Sequence, residues 1–369
     1  MDFEDIAKKS VAFDEGFFRA LPKTDLHVHL DGSLRLATIL DLAEKDKVDL
    51  GVDTPEGLEA LIAPGKIHES LPEYLKGFEV TLKVLQTEES LYRAAYELAE
   101  DAASENVEYM EVRYSPILHT RGNLSLAAIV ESVLAALRDA ERAFGVRSGV
   151  IVCGIRNISP EVSLRLAELA AVFKNRGVVG FDLAGAEQNH PARDHLAAFT
   201  LILSNNVNVT IHAGEAYGPD SIHQALHYCG AHRVGHGTRL REDGDLLNYV
   251  NDHRIPLEIC LSSNVQTRAV RSLSEHPLRF YFDLGLRVTL NTDNRLITNT
   301  TMTREYELAF RQFEFTPEDV LTLVLNGVKS AFIPREYKRD FLRRTKDSTK
   351  QLIVDYIQAR SQAGAGKGA

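Results

Sequence analysis

Only 3 cysteines occur in 369 residues, and Cys153, Cys229 and Cys260 form no CxxC pair. That spacing excludes a disulfide framework and a zinc site built from paired thiolates, and it points to a reducing compartment. An excess of positive charge is also lacking: 42 Lys and Arg stand against 52 Asp and Glu, a formal net charge of −10. A surface of that average sign repels phosphate backbones and anionic lipid, so neither nucleic acid nor a membrane is expected as a partner. Missing too is any apolar run long enough to cross a bilayer, and the N-terminal MDFEDIAKKS is acidic. The expectation is a cytoplasmic protein. No internal repeat or interdomain linker breaks the chain, and its one biased stretch is the terminal SQAGAGKGA. A single domain over residues 1–355 and a disordered tail over 356–369 follow.

What the chain does have is a 44% hydrophobic content, enough for a substantial core, distributed in short buried-type runs. Eight of these read as strands: KTDLHVH, VEYMEVRYS, SGVIVCGI, VVGFDLAG, NVTIHAGE, RVGHGT, IPLEICLS and LRVTLNTD. Between them lie segments such as ESLYRAAYELAEDAASE and LAAIVESVLAALRDAERAF, whose apolar residues return every three or four positions as on a helix. Eight strands alternating with helices predict an α/β protein, a closed (β/α)₈ TIM barrel. The stretch from about 34 to about 90 exceeds a plain crossover and is expected to lay extra helices over the C-terminal mouth as a lid.

Unusual polar residues sit at the ends of these strands: His27 and His29 on the first, His212 and Glu215 on the fifth, His236 on the sixth, Asp293 and Asn294 on the eighth. In a barrel all these ends meet on one face. Residues two apart on a strand project the same way, so HVH aims two imidazoles together, a geometry suited to chelation. By itself HxH is a common surface pattern, His212 could be a hydrogen-bonded core histidine, and Asp293 could cap a turn. Together the four offer three nitrogens and one carboxylate oxygen. That set suits zinc, with iron, cobalt and manganese left open by ligand type.

In order along the chain, LPKTDLHVHLDGSL, EVRYSP, FDLAGAE, HAGE, GHG and NTDN resemble the adenosine deaminase family of the amidohydrolase superfamily, over residues from about 20 to about 345. The resemblance implies a barrel holding one zinc ion and hydrolytic deamination of adenosine or deoxyadenosine to inosine or deoxyinosine, a step of purine salvage. It assigns His27, His29, His212 and Asp293 as zinc ligands. It makes Glu215 the proton donor to ring nitrogen 1, His236 a base or electrostatic guide, and Asp293 the group that orients the nucleophile. Substrate contacts would come from His29, from Gly185 through its backbone N–H, from Asp31 to a ribose hydroxyl, and from Asn294 to ring nitrogen 7. Tyr74, Leu75 and Phe78 match the family's apolar lid, although such a stripe is more often plain core packing.

Two departures shape the alternatives. Asn294 stands where many members carry a second aspartate; an amide can donate to purine nitrogen 7 without being protonated, which keeps purine binding open. Altered pockets in the family also take modified nucleosides such as methylthioadenosine or aminodeoxyfutalosine. Adenine deaminases of the superfamily tend to carry Glu where Asp31 stands, so Asp31 favours a nucleoside. Deaminases built on a PCxxC zinc motif are excluded by the cysteine spacing. A two-metal hydrolase would need a bridging lysine or glutamate that the fourth strand does not end in. A nucleoside-binding protein on an inactive barrel would be expected to lack one of these ligand or catalytic groups, and none is missing.

Overall fold

The computed structural model describes residues 2–365. Its centre is one parallel eight-stranded sheet in chain order, β1 (Lys23–His29), β2 (Val107–Tyr114), β3 (Arg147–Ile155), β4 (Val178–Ala184), β5 (Asn208–Ala213), β6 (Arg233–His236), β7 (Leu257–Ile259) and β8 (Val288–Leu290). All eight coincide with the apolar runs picked out above. Their middles are buried on both faces, as in Val150 to Cys153 of β3, because helices cover the outside and side chains fill the inside. The sheet closes into a (β/α)₈ barrel where the chain just past β8 meets β1. There Val28 and Asp293 form a parallel bridge, His29 N–H donates to Asp293 O at 2.7 Å, and Asp293 N–H donates to His27 O at 2.8 Å.

The outer helices begin and end where local chemistry dictates. Glu88–Ser104 opens on a capping box in which Thr87 and Ser90 satisfy each other's backbone N–H. Leu126–Phe144 is capped by the Ser125 side chain and stops at Gly145, whose φ of 79° turns the chain left-handed. The long first crossover does carry extra helices: Leu36–Asp46, Pro55–Ile62, Leu71–Tyr74, a 3₁₀ turn Leu75–Gly77, and Phe78–Val84. Backbone bonds tie this segment over the mouth, from Gly65 N–H to Ile297 O and from His68 N–H to Gln266 O, each 2.9 Å. No helix among the described residues is long and apolar enough to cross a membrane.

One feature differs from expectation. The last helix, Arg335–Ala365, continues through most of the stretch expected to be disordered from 356; only 366–369 lie outside the described residues. The barrel interior, moreover, is not a stack of branched aliphatics. Arg113 reaches Asp182 at 3.1 Å and Glu258 at 2.9 Å, while Arg233 reaches Glu258 at 2.6 Å and Glu111 at 2.5 Å, all essentially inaccessible to solvent.

Candidate active site

The interior ion network is the floor on which the mouth is built. Glu258 accepts from Arg113, Arg233 and Thr210 and contacts His27 Nδ1 at 2.9 Å. Asp182, held by Arg113, lies 3.0 Å from His212 Nδ1. Each carboxylate thereby takes the Nδ1 side of an imidazole and turns Nε2 upward, the arrangement that orients histidines for metal binding. His27 Nε2 and His29 Nε2 both face Asp293 Oδ1, at 3.5 and 3.4 Å, and His29 Nε2 is 3.2 Å from His212 Nε2. Ser263 Oγ–H donates to Asp293 Oδ2 at 2.5 Å and so fixes which oxygen faces the imidazoles. His27, His29, His212 and Asp293 can all present a ligand atom within 4.8 Å of one another.

Those residues fit a divalent metal. His27 Nε2 is buried without a hydrogen-bond partner, a cost that a positive centre would remove. Burial and the nearby Arg113 charge push His27 down to about 4, and burial holds His29 well below its ordinary value, so both are neutral donors at neutral pH. Burial works against the charge on Asp293, yet its contacts with His27 keep it well below the usual carboxylate range. Burial works against a charge on His212, yet the neighbouring Asp182 carboxylate raises it above its ordinary value, so a metal there would have to displace a proton. The donor set is thus three imidazole nitrogens and one anionic oxygen, ligand types that zinc takes.

Opposite this cluster, Glu215 and His236 face each other, Glu215 Oε2 lying 3.5 Å from His236 Nε2. Gly214 turns the chain between His212 and Glu215 at φ 69°, and a Cβ there would approach Ile222 Cδ1 to 2.5 Å, so the turn requires glycine. Thr267 Oγ1–H donates to Glu215 Oε1 at 2.9 Å, and burial raises the Glu215 carboxyl above its ordinary value. His236 and Asp293 themselves have φ of 64° and 61°, left-handed conformations that are rare for side-chain-bearing residues and that aim both inward.

A relay sets the His236 ring. Leu278 N–H donates to His276 Nδ1 at 3.0 Å, so the neutral His276 ring carries its hydrogen on Nε2. Burial depresses His276 to about 3, which keeps it neutral. That Nε2–H donates to Asn264 Oδ1 at 3.1 Å, and the Asn264 amide then donates to His236 Nδ1 at 3.0 Å. Neutral His236 therefore carries its hydrogen on Nε2, directed at the site.

The pocket between these groups is lined by His29, Asp31, Gly185, His212, Glu215, His236, Asp293 and Asn294, with Tyr74, Leu75 and Phe78 from the lid. Every residue singled out from the sequence thus lies in or directly beneath one cavity. Asp31 Oδ1 and Asn294 Oδ1 are buried with no partner, and burial lifts the Asp31 carboxyl to about 7. Gly185 has φ 94°, and a Cβ there would come within 2.8 Å of Asn157 Oδ1. The lid differs in one respect from a plain apolar stripe. Tyr74 Oη contacts Thr298 Oγ1 and accepts from Asn294 Nδ2, both at 2.8 Å, which leaves Asn294 one free amide hydrogen.

Sequence reasoning missed the supporting residues Asp182, Glu258, Ser263, Asn264 and Thr267, and the apolar wall formed by Leu118, Ile155 and Ile158. A signal existed for two of them: Asp182 and Glu258 are acids in the middle of otherwise apolar strands.

Fold and site together define a (β/α)₈-barrel enzyme with a candidate divalent-metal centre at the C-terminal mouth. A family model described as Adenosine deaminase matches residues 22–348, and the chain belongs to the adenosine deaminase family. A Mycobacterium leprae protein named adenosine deaminase is 44% identical over 330 residues, covering 85% of this chain and 91% of its own. A probable adenosine deaminase of Dictyostelium discoideum is 38% identical over 337 residues, 91% of this chain, which spans only 43% of that longer protein. Among solved structures, adenine deaminase from Arthrobacter aurescens superposes with a TM-score of 0.84 at 27% identity, covering 89% of this chain and 99% of its own.

Proposed function

We propose that residues 1–355 act as one domain that hydrolyses adenosine and deoxyadenosine to inosine or deoxyinosine and ammonia, with one zinc ion held by His27, His29, His212 and Asp293, in the cytoplasm. The observation that carries this reading is the convergence of those four ligand atoms opposite the Glu215 carboxyl, in a pocket with two unpartnered buried acceptors. Zinc held there would supply the Lewis acidity that makes hydroxide available near neutral pH.

The chain's own residues do the rest. Addition of water at purine carbon 6 breaks the ring's aromaticity, and Glu215, whose carboxyl burial raises above its ordinary value, offsets this by giving its proton to ring nitrogen 1. Thr267 holds the opposite oxygen of that carboxyl. Of the two roles open to His236, the relay favours the electrostatic guide, since its Nε2 is a donor when the ring is neutral. Asp293, locked by Ser263, orients the attacking oxygen. Gly185 leaves room for the purine's nitrogen 3 edge, Asn294 offers its free amide hydrogen to nitrogen 7, and Asp31 Oδ1 takes a ribose hydroxyl. Leu75 and Phe78 cover the base and exclude water.

The test is ammonia release by zinc-loaded protein from adenosine, deoxyadenosine, adenine, methylthioadenosine and aminodeoxyfutalosine. The nucleosides adenosine and deoxyadenosine are expected to be the best substrates. Preference for free adenine would remove the role given to Asp31, and silence on the whole panel would leave only a binding protein.

A further inference from the structure

The loop that carries Glu215 is held by a second carboxylate that the mechanism above does not use. Residues 214–217 form no helix or strand, so their backbone N–H groups need partners from elsewhere. All four find the same one. Glu187 Oε1 accepts from Gly214 N–H at 2.6 Å, and Oε2 accepts from the N–H groups of Glu215 at 3.0 Å, Ala216 at 2.6 Å and Tyr217 at 3.1 Å. Glu187 is itself buried and comes from the end of β4, two residues past Gly185. Bonds from N–H groups to an ionised carboxylate are stronger than neutral ones, and four in succession leave the loop one geometry. The other side of the same peptide is clamped too, because Thr238 Oγ1–H and Arg239 N–H both donate to Gly214 O, at 2.7 and 3.1 Å.

We infer that Glu187 is a positioning residue for the deamination: its carboxylate moulds residues 214–217 so that the Glu215 carboxyl stands where ring nitrogen 1 must be protonated. This rests on the role given to Glu215 above. Glu187 does not line the pocket that Glu215 faces, and its carboxylate is engaged by four backbone donors, so it acts through Glu215. Its negative charge also adds to the burial that raises the Glu215 carboxyl.

The experiment is a double-mutant cycle in the zinc-loaded protein, with adenosine as substrate. Glu187→Gln replaces one acceptor oxygen by an NH₂ group facing N–H donors. It is expected to lower kcat by about a hundredfold, the cost of a small misplacement of a reacting group, with KM changed by less than about threefold. In the Glu215→Gln background the same substitution should lower kcat no further. Amide hydrogen exchange at 214–217 should accelerate while zinc content stays at one per chain. Glu187→Asp, which keeps the charge but is one methylene shorter, guards against misfolding of the amide variant. It should show a smaller kcat loss that also vanishes when Glu215 is Gln. Losses that multiply in the double variants, or an unchanged kcat in both single variants, would overturn the inference. Normal turnover by Glu215→Gln alone would instead remove the proton donor itself, a separate failure.

Discussion

The barrel interior and the mouth above it are both polar and largely buried, yet they are built differently. In the interior, Arg113, Asp182, Glu258, Arg233 and Glu111 each lie within 3.1 Å of an opposite charge. At the mouth, His27 Nε2, Asp31 Oδ1 and Asn294 Oδ1 have no hydrogen-bond partner, whereas of the five interior charged side chains only Arg113 has an unpartnered buried atom, its Nε. Burying a polar atom without a hydrogen bond costs stability, so the first region supports the fold and the second spends some of that support on atoms that wait for a ligand. The two are joined by His27 and His212, whose Nδ1 atoms belong to the floor and whose Nε2 atoms belong to the site.

Breaking the floor should have the largest effect. Arg113→Met leaves Asp182 and Glu258 buried without their shared cation, and a loss of about 3–5 kcal/mol in unfolding free energy is expected from chemical denaturation. Next is the mouth itself: Glu215→Gln should cut kcat at least about a hundredfold, on the scale of general acid catalysis. Its pH dependence sharpens the point. The carboxyl is raised by burial, so its proton is present below that raised value and lost as pH rises through it. Turnover should therefore fall on the alkaline side, and the alkaline limb due to this group should vanish in Glu215→Gln, whose amide cannot lose a proton. The join should respond third. Asp182→Asn is expected to weaken zinc binding by about 10–100-fold, measured by competition with a chelator. Smallest is the lid: Tyr74→Phe removes the hydroxyl shared by Thr298 and Asn294, about 1 kcal/mol, and should raise KM for adenosine by roughly fivefold.

Much of this is legible in the sequence. The strands announce themselves because a parallel strand covered on both faces must be apolar throughout, and the site residues stand out because they end such runs. The floor was not legible in the same way. Arg113, Asp182 and Glu258 lie on three separate strands, and a lone charge inside an apolar run says nothing about which distant residue neutralises it. Glu187 was hidden for the same reason, since its four partners are 27 to 30 residues further along. At the other end, composition misled. SQAGAG reads as a flexible tail, but alanine and glutamine are good helix formers and the preceding helix simply propagates into them, as far as Ala365.

The seam between Val28 and Asp293 has a consequence for biosynthesis. Because the only carboxylate among the four candidate metal ligands is delivered by the segment that closes the ring, a nascent chain halted after its seventh strand has three histidines and no finished centre. The full set of four candidate ligands is therefore brought together only where the segment just past the last strand meets the first.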